Sequence, residues 1–172
     1  IEATRRLASV IRVRENSTMR LFSPAKVNLL LAVTGKRADG LHDLISLVSP
    51  LSFGDDLVVE VVEEVPGVTL TCSEPSLPAD SSNLAYKAAR SFLNAIGSSA
   101  GVKVHLEKRI PLEAGLGGGS SNAATVLLAL NRLFDSALSE EALSALAADL
   151  GSDCPLFLQR KPVLMRGRGE IL

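Results

Sequence analysis

Gly115, Gly117, Gly118 and Gly119 place four glycines in five residues, within Pro111-Leu112-Glu113-Ala114-Gly115-Leu116-Gly117-Gly118-Gly119-Ser120-Ser121-Asn122. Each glycine costs roughly 0.5–1 kcal/mol against alanine, so the run costs about 2–4 kcal/mol. Packing alone does not offset that. A phosphate does, because bare backbone N–H groups can close around it and a helix N-terminus adds a favourable field. Ser120 and Ser121 add hydroxyls that can donate to phosphate or serve Mg²⁺. The bland alternative is a loose helix-entry loop, disfavoured by the two serines and the helical pattern behind them.

Two familiar phosphate loops do not fit. The Walker pattern fails because no Gly-Lys-Ser/Thr occurs. A dinucleotide fingerprint nearly fits at Gly115-x-Gly117-x-x-Ser120, with Asp135 downstream. It fails on context: the element after the first helix is a second helix, so no βαβ unit forms there, and Asp135 ends a helix rather than a strand.

The elements that must position the loop can be read from periodicity. Residues 19–22 and 27–34 read as strands rich in branched residues. Residues 35–40 form a turn with an Asp39-Gly40 hairpin signal, and 44–48 the return strand. Residues 56–63 and 68–72 read as a strand pair around Pro66-Gly67, and 74–80 as a loop. Ser82 is the expected cap of a helix over 83–96 that Gly97 stops. Leu84, Ala88, Phe92 and Ile96 give that helix its apolar face. Residues 102–108 alternate as a half-exposed strand with His105 outward, so His105 reads as structural. Helices follow over about 120–134 and 140–150, the second capped by Ser139 and stopped by Gly151. The order β-β-β-β-α-β-α-α predicts an α+β fold rather than a doubly wound sheet.

Composition narrows the function classes. The chain has 172 residues, enough for one domain with a core of its own. An apolar share of 47% rules out a disordered chain. Lys and Arg number 18 against 19 Asp and Glu, a net charge of −1 that argues against nucleic acid or a membrane as partner. Five Phe, one Tyr and no Trp leave few stacking platforms for single strands. Cys72 and Cys154 make neither a disulfide framework nor a zinc site and read as inert in a reducing compartment. No apolar run approaches the roughly 20 residues of a membrane span.

The first 20 residues carry Arg5, Arg6, Arg12, Arg14 and Arg20 against Glu2 and Glu15. That basic stretch reads either as a transit-peptide remnant or as sequence upstream of a start at Met19. A third use, nucleic-acid binding through the arginines, is the weakest. The expected organisation is a basic extension over 1–19 and one domain over 20–172. The pattern at Gly169-Glu170-Ile171-Leu172 does not wind down, so a fragment is expected.

Pro111–Ala124 resembles the second motif of the GHMP kinases, small-molecule kinases named for galactose, homoserine, mevalonate and phosphomevalonate. Four other segments resemble that family in the same order, Pro24-Ala25-Lys26-Val27-Asn28-Leu29, Gly35–His42, Asn83-Leu84 and Gly151-Ser152-Asp153-Cys154-Pro155, and Lys108-Arg109-Ile110-Pro111 leads into the glycine loop as it does there. The resemblance covers roughly residues 20–172. It implies an N-terminal GHMP domain with a ribosomal-protein-like two-layer fold and a left-handed βαβ unit. It also implies a C-terminal domain absent from this chain, a small-molecule substrate, and ATP with Mg²⁺ as the phosphoryl donor. A bacterial cytoplasm is the implied setting, with a plastid as alternative.

The same resemblance implies residue roles. The stretch Pro111, Leu112, Glu113, Ala114, Gly115, Leu116, Gly117, Gly118, Gly119, Ser120 and Ser121 would bind ATP, with Asn83 near the adenine and Lys108 approaching the nucleotide. Lys26 and Asp153 would be catalytic. Phosphoryl transfer needs a proton acceptor and positive charge near the moving group, and Asp153 would accept or steer the substrate hydroxyl proton. Asp153 could instead be a turn carboxylate bonded to its own backbone, Lys26 a lysine snorkelling from a strand end, and Lys108 a solvated strand-end lysine. Asn28 shares the strand face of Lys26 and would bind substrate. His42 would contact a cytosine of the substrate. The family often places an aromatic residue before that histidine, and this chain has Leu41. No protein metal-ligand set is implied. A kinase for a different alcohol, or a catalytically incomplete ATP-binding lobe, are the alternatives.

Overall fold

A computed structural model describes residues 17–36, 42–62 and 65–167. The strands are β1 (Thr18–Lys36), β2 (His42–Val62), β3 (Gly67–Cys72), β4 (Gly101–Glu107) and β5 (Val163–Gly167). The helices are α1 (Leu84–Ala95), α2 (Gly118–Leu133), α3 (Glu140–Leu150) and α4 (Cys154–Gln159). They form one sheet in the order β1-β2-β4-β3, with β5 also paired to β2. The α+β expectation holds. Residues 1–16 of the basic extension, the Asp39-Gly40 turn and the side chain of His42 lie outside the described residues; Thr18 and Met19, expected in that extension, belong to β1.

Two long strands replace four expected short ones. β1 and β2 run antiparallel from Thr18↔Glu60 to Lys36↔His42, with register shifts at Pro24/Lys26, Asn28/Leu30 and Val33/Gly35. Proline has no N–H for the ladder, so a bulge at Pro24 lets the strand continue where two strands were expected. The far half of β2 pairs with β4 and its near half with β5.

The expected pairing of 56–63 with 68–72 does not occur. β4 lies between them, antiparallel to β2 and parallel to β3. Side-chain chemistry explains the order. β4 buries Val102, Val104 and Leu106, which suits a strand paired on both sides. β3 buries only Leu70 and exposes Thr69 and Thr71, which suits an edge. Gly101 permits the insertion: a Cβ there would lie 1.9 Å from the Val65 carbonyl oxygen. The parallel pair β3 and β4, joined through α1, is the βαβ unit.

The core lies between one sheet face and the helices, a two-layer arrangement. Leu57, Val59 and Val61 of β2 and the three apolar residues of β4 meet Ala85, Ala88, Ala89 and Phe92 of α1 and Val126, Leu127 and Leu130 of α2. The rings of Phe92 and Phe134 sit 5.7 Å apart, a favourable aromatic separation. Lys103, His105 and Glu107 point to the other, open face. His105 Nδ1 is 2.8 Å from the Thr71 hydroxyl, in keeping with its structural reading.

Three further differences are local. Asn83, not Ser82, caps α1 by accepting from Ala85 N–H at 2.9 Å. The Ser82 N–H and hydroxyl donate instead to Asp80. α2 starts at Gly118, two residues early, because left-handed Gly117 can precede it directly. α4 and β5 were not expected. α4 is only six residues long and begins around Pro155, too short for a periodic signal. Among the described residues no helix is long and apolar enough to cross a membrane.

Candidate active site

The glycine run leaves β4 and enters α2. Gly115 and Gly117 both have positive φ, 73° and 71°, where a side chain would be strained. Gly117 is also crowded. A Cβ there would lie 2.8 Å from Phe157 Cζ and 3.1 Å from Lys26 Cγ. At Gly118 a Cβ would come within 3.1 Å of both Lys108 Nζ and Ile110. Glycine therefore lets the loop lie close to both lysines.

α2 has no side-chain cap and no acidic residue in its first turn. The N–H groups of residues 118 to 120 have no intrahelical acceptor. They face a cleft of about 250 Å³ lined by Leu84, Lys108 and residues 111–120. Backbone donors, a helix N-terminus and close-set glycines suit a phosphate chain. A second depression of about 210 Å³, which includes Asn83, shares Leu84, Lys108, Leu112 and Gly119 with the first. It extends the cleft toward α1.

β1 brings Lys26 to this loop. The bulge after Pro24 turns the Lys26 N–H out of the ladder, and it donates to the Leu116 carbonyl at 2.9 Å. Lys26 Nζ donates to Asn28 Oδ1 at 2.8 Å and lies 3.8 Å from Asp153 Oδ2. Asn28 Nδ2 donates to the Ser46 hydroxyl at 2.7 Å, which donates to the Leu30 carbonyl. These bonds hold the Asn28 amide in one orientation.

Asp153 stands at the N-terminus of α4, yet its carboxylate makes no cap hydrogen bond. It is therefore not the self-bonded turn residue that the local sequence allowed. Its side chain is 34% exposed, against 13% for Lys26, so water or a ligand can reach the carboxylate. An acceptor and a cation thus share one edge of the glycine loop.

Cys154 is buried beside them. Burial pushes its thiol up; a hydrogen bond with Ser120 opposes this and the Asp153 charge reinforces it. A raised thiol pKa disfavours the reactive thiolate, which agrees with an inert cysteine.

The structure places three more of the expected residues as follows. Lys108 is not a solvated strand-end residue. Its side chain is 6% exposed and its ammonium is 2.5 Å from Asp55 Oδ2. Ser121 is buried and turned from the cleft, accepting a hydrogen bond from the Ser23 hydroxyl. Asn83 reaches the second depression, but its amide is committed to the α1 cap and to the Pro78 carbonyl.

Asp55 is the site-supporting residue that the sequence did not reveal. It is fully buried. Its Oδ1 accepts from the backbone N–H groups of Arg109 and Ile110 at 2.7 and 2.8 Å. Its Oδ2 accepts from Lys108 and, at 2.8 Å, from Asn122 Nδ2. The only local sign is Gly54-Asp55-Asp56 interrupting two apolar runs.

Residues 83–160 match the family described as GHMP kinases N terminal domain. The chain is 45% identical over 167 residues to 4-diphosphocytidyl-2-C-methyl-D-erythritol kinase of Protochlamydia amoebophila, covering 96% of this chain and 56% of that protein. It is 49% identical over 152 residues to the protein of the same name from Methylacidiphilum infernorum, covering 88% of this chain and 52% of the relative. A crystal structure of 4-(cytidine 5'-diphospho)-2C-methyl-D-erythritol kinase superposes with a TM-score of 0.80 at 47% identity, over 90% of this chain and 54% of that one. L. major mevalonate kinase, at 18% identity and a TM-score of 0.62 over 90% of this chain and 50% of its own, shares the fold. The chain spans about half the length of the curated relatives it matches.

Proposed function

Starting from the match of residues 83–160 to the GHMP kinases N terminal domain, we propose that the chain serves ATP-dependent phosphorylation of the 2-hydroxyl of 4-diphosphocytidyl-2-C-methyl-D-erythritol, in non-mevalonate isoprenoid precursor synthesis. The observation that carries this reading is the Lys26–Asp153 pair at the edge of the glycine loop, 3.8 Å apart. The names of the relatives at 45% and 49% identity supply the substrate. They weigh against a different alcohol acceptor, the reading that Leu41 had kept open. The relatives being bacterial, a bacterial cytoplasm is the proposed setting.

The roles follow from position. The N–H groups of Gly118, Gly119 and Ser120 hold the β- and γ-phosphates. The depression beside Asn83 and Leu84 receives the nucleoside end. The substrate hydroxyl sits between Lys26 and Asp153, with Asn28 oriented by Ser46 to hold the substrate. Its oxygen attacks the γ-phosphorus, the bond to the β,γ-bridging oxygen breaks, and ADP leaves with that electron pair. Asp153 takes the hydroxyl proton. Lys26 offsets charge as it spreads over the moving group. Ser120 lines the same cleft and would be the residue to help hold Mg²⁺, which would offset charge on the phosphates. His42 remains a proposed cytosine contact.

The test is ADP release from ATP and Mg²⁺ with and without 4-diphosphocytidyl-2-C-methyl-D-erythritol. Release that depends on that alcohol supports the reading. Release that depends on mevalonate or homoserine instead replaces the substrate. Nucleotide binding without any turnover favours an incomplete ATP-binding lobe.

A further inference from the structure

We infer that Asp55 is a positioning residue of the nucleotide site, acting through Lys108; the inference rests on the nucleotide reading above. Asp55 is completely buried on β2, far in sequence from the glycine loop. Four donors converge on its carboxylate: the N–H groups of Arg109 and Ile110, the Lys108 ammonium and the Asn122 amide. The first two fix the backbone that leads into the loop. The last two belong to the loop's own walls.

The consequence for Lys108 is geometric. Its ammonium contacts Asp55 Oδ2 and Asn122 Oδ1, at 2.5 and 3.3 Å. A Cβ on Gly118 would lie 3.1 Å from that nitrogen. The cation is thus held against the first turn of α2, where residues 118 to 120 present their N–H groups. Lys108 lines both the glycine cleft and the depression beside Asn83. An ammonium has three donors. Asp55 and Asn122 engage two and leave the third for a group in the cleft.

The rest of the network closes behind this pair. Asn122 Nδ2 also donates to the Ser23 hydroxyl at 2.9 Å, and Ser23 donates to Ser121 at 2.8 Å. No described buried side-chain polar atom lacks a partner. A satisfied network of this kind specifies one arrangement of its members. Here the arrangement joins β1, β2, the end of β4 and the first turn of α2. Asp55 therefore sets where the Lys108 charge stands relative to the phosphate-binding N–H groups. A lysine in the same place without that anchor would have a flexible four-carbon stem and a mobile charge.

The test is MgADP affinity by titration calorimetry on four proteins: unaltered, Asp55→Asn, Lys108→Gln and the double variant. Asparagine keeps an acceptor oxygen for the two backbone N–H groups. Its amide nitrogen then meets Lys108 and Asn122, which also donate, so the Lys108 anchor is lost selectively. Asp55→Asn is expected to weaken MgADP binding about tenfold or more, the scale of one charge-assisted hydrogen bond. In the Lys108→Gln background the same change is expected to alter affinity less than about twofold, because the effect passes through Lys108. Equal losses in both backgrounds, or no loss from Asp55→Asn alone, overturn the inference. Either single variant leaves a buried group unmatched and can fail to fold. Where one does not fold, the ¹⁵Nζ resonance of Lys108 in the unaltered protein decides: a slowly exchanging ammonium signal that shifts on saturation with MgADP supports an anchored charge facing the nucleotide, and a fast-exchanging or unmoved signal overturns the inference. Unaltered protein that does not bind MgADP removes the nucleotide reading, and this inference with it.

Discussion

Substituting Gly117 by alanine separates backbone strain from packing, because Gly115 provides an internal control. The two glycines have nearly equal φ, 71° and 73°. Left-handed backbone costs a non-glycine residue roughly 1–2 kcal/mol, so both Gly→Ala changes carry that cost. Only Gly117 adds a collision. Its Cβ would lie 2.8 Å from Phe157 Cζ, whereas nothing comes within 4 Å at Gly115. Phe157 packs in a buried cluster with Val48, Ala124, Leu156 and Met165 and has little room to retreat. Overpacking of that kind costs roughly 1–3 kcal/mol. Gly117→Ala should therefore destabilise by about 2–5 kcal/mol and Gly115→Ala by about 1–2 kcal/mol. The new methyl also presses on Lys26 Cγ at 3.1 Å, so the 3.8 Å Lys26–Asp153 separation should change. The assay is urea unfolding of both variants, with turnover measured on those that fold. Equal destabilisation of the two, within about 0.5 kcal/mol, would refute the packing argument.

Other expectations follow from the same geometry. Asp153→Asn should lower turnover by about 10²–10⁴-fold, the usual worth of a general base, with MgADP affinity unchanged by calorimetry; near-normal turnover would remove the base role. Phe92→Ala should cost about 3–5 kcal/mol in urea unfolding, because the ring is fully buried against Phe134. Cys154 should resist iodoacetamide at pH 8 while half-exposed Cys72 reacts, because burial raises the Cys154 thiol. A pKa raised on folding means that the folded chain holds the proton more tightly. The stability this contributes is present below the unfolded thiol's pKa and is lost as pH rises through the folded value, so unfolding midpoints should fall from about pH 8.5 upward and less so in Cys154→Ala.

Sequence patterns foretold elements whose signal is local. α1, α3 and β4 appear where periodicity placed them, because each has one apolar face. Pairing was less legible. The turn at Pro66-Gly67 suggested a hairpin, and only the contrast between the apolar β4 and the threonine-bearing β3 tells which strand takes the central place. The bulge at Pro24 was hidden because a ladder shift leaves no mark on hydrophobic alternation. At the site, the glycines, Lys26 and Asp153 were legible because loop composition and the family resemblance marked them. Asp55 was not, since its partners are supplied by the segment that leaves β4 and by α2, both remote in sequence. For the same reason the sequence left Lys108 open between a nucleotide contact and a solvated strand-end lysine until its buried partner was known.

The central claim is that the glycine loop holds nucleotide phosphates beside the Lys26–Asp153 pair. Amide ¹H–¹⁵N spectra recorded while MgADP is titrated into the protein test it most directly. The account predicts large shifts of the Gly118, Gly119 and Ser120 amides, with the turn glycines Gly67 and Gly97 unmoved. Saturable MgADP binding that leaves those three amides unchanged would contradict it.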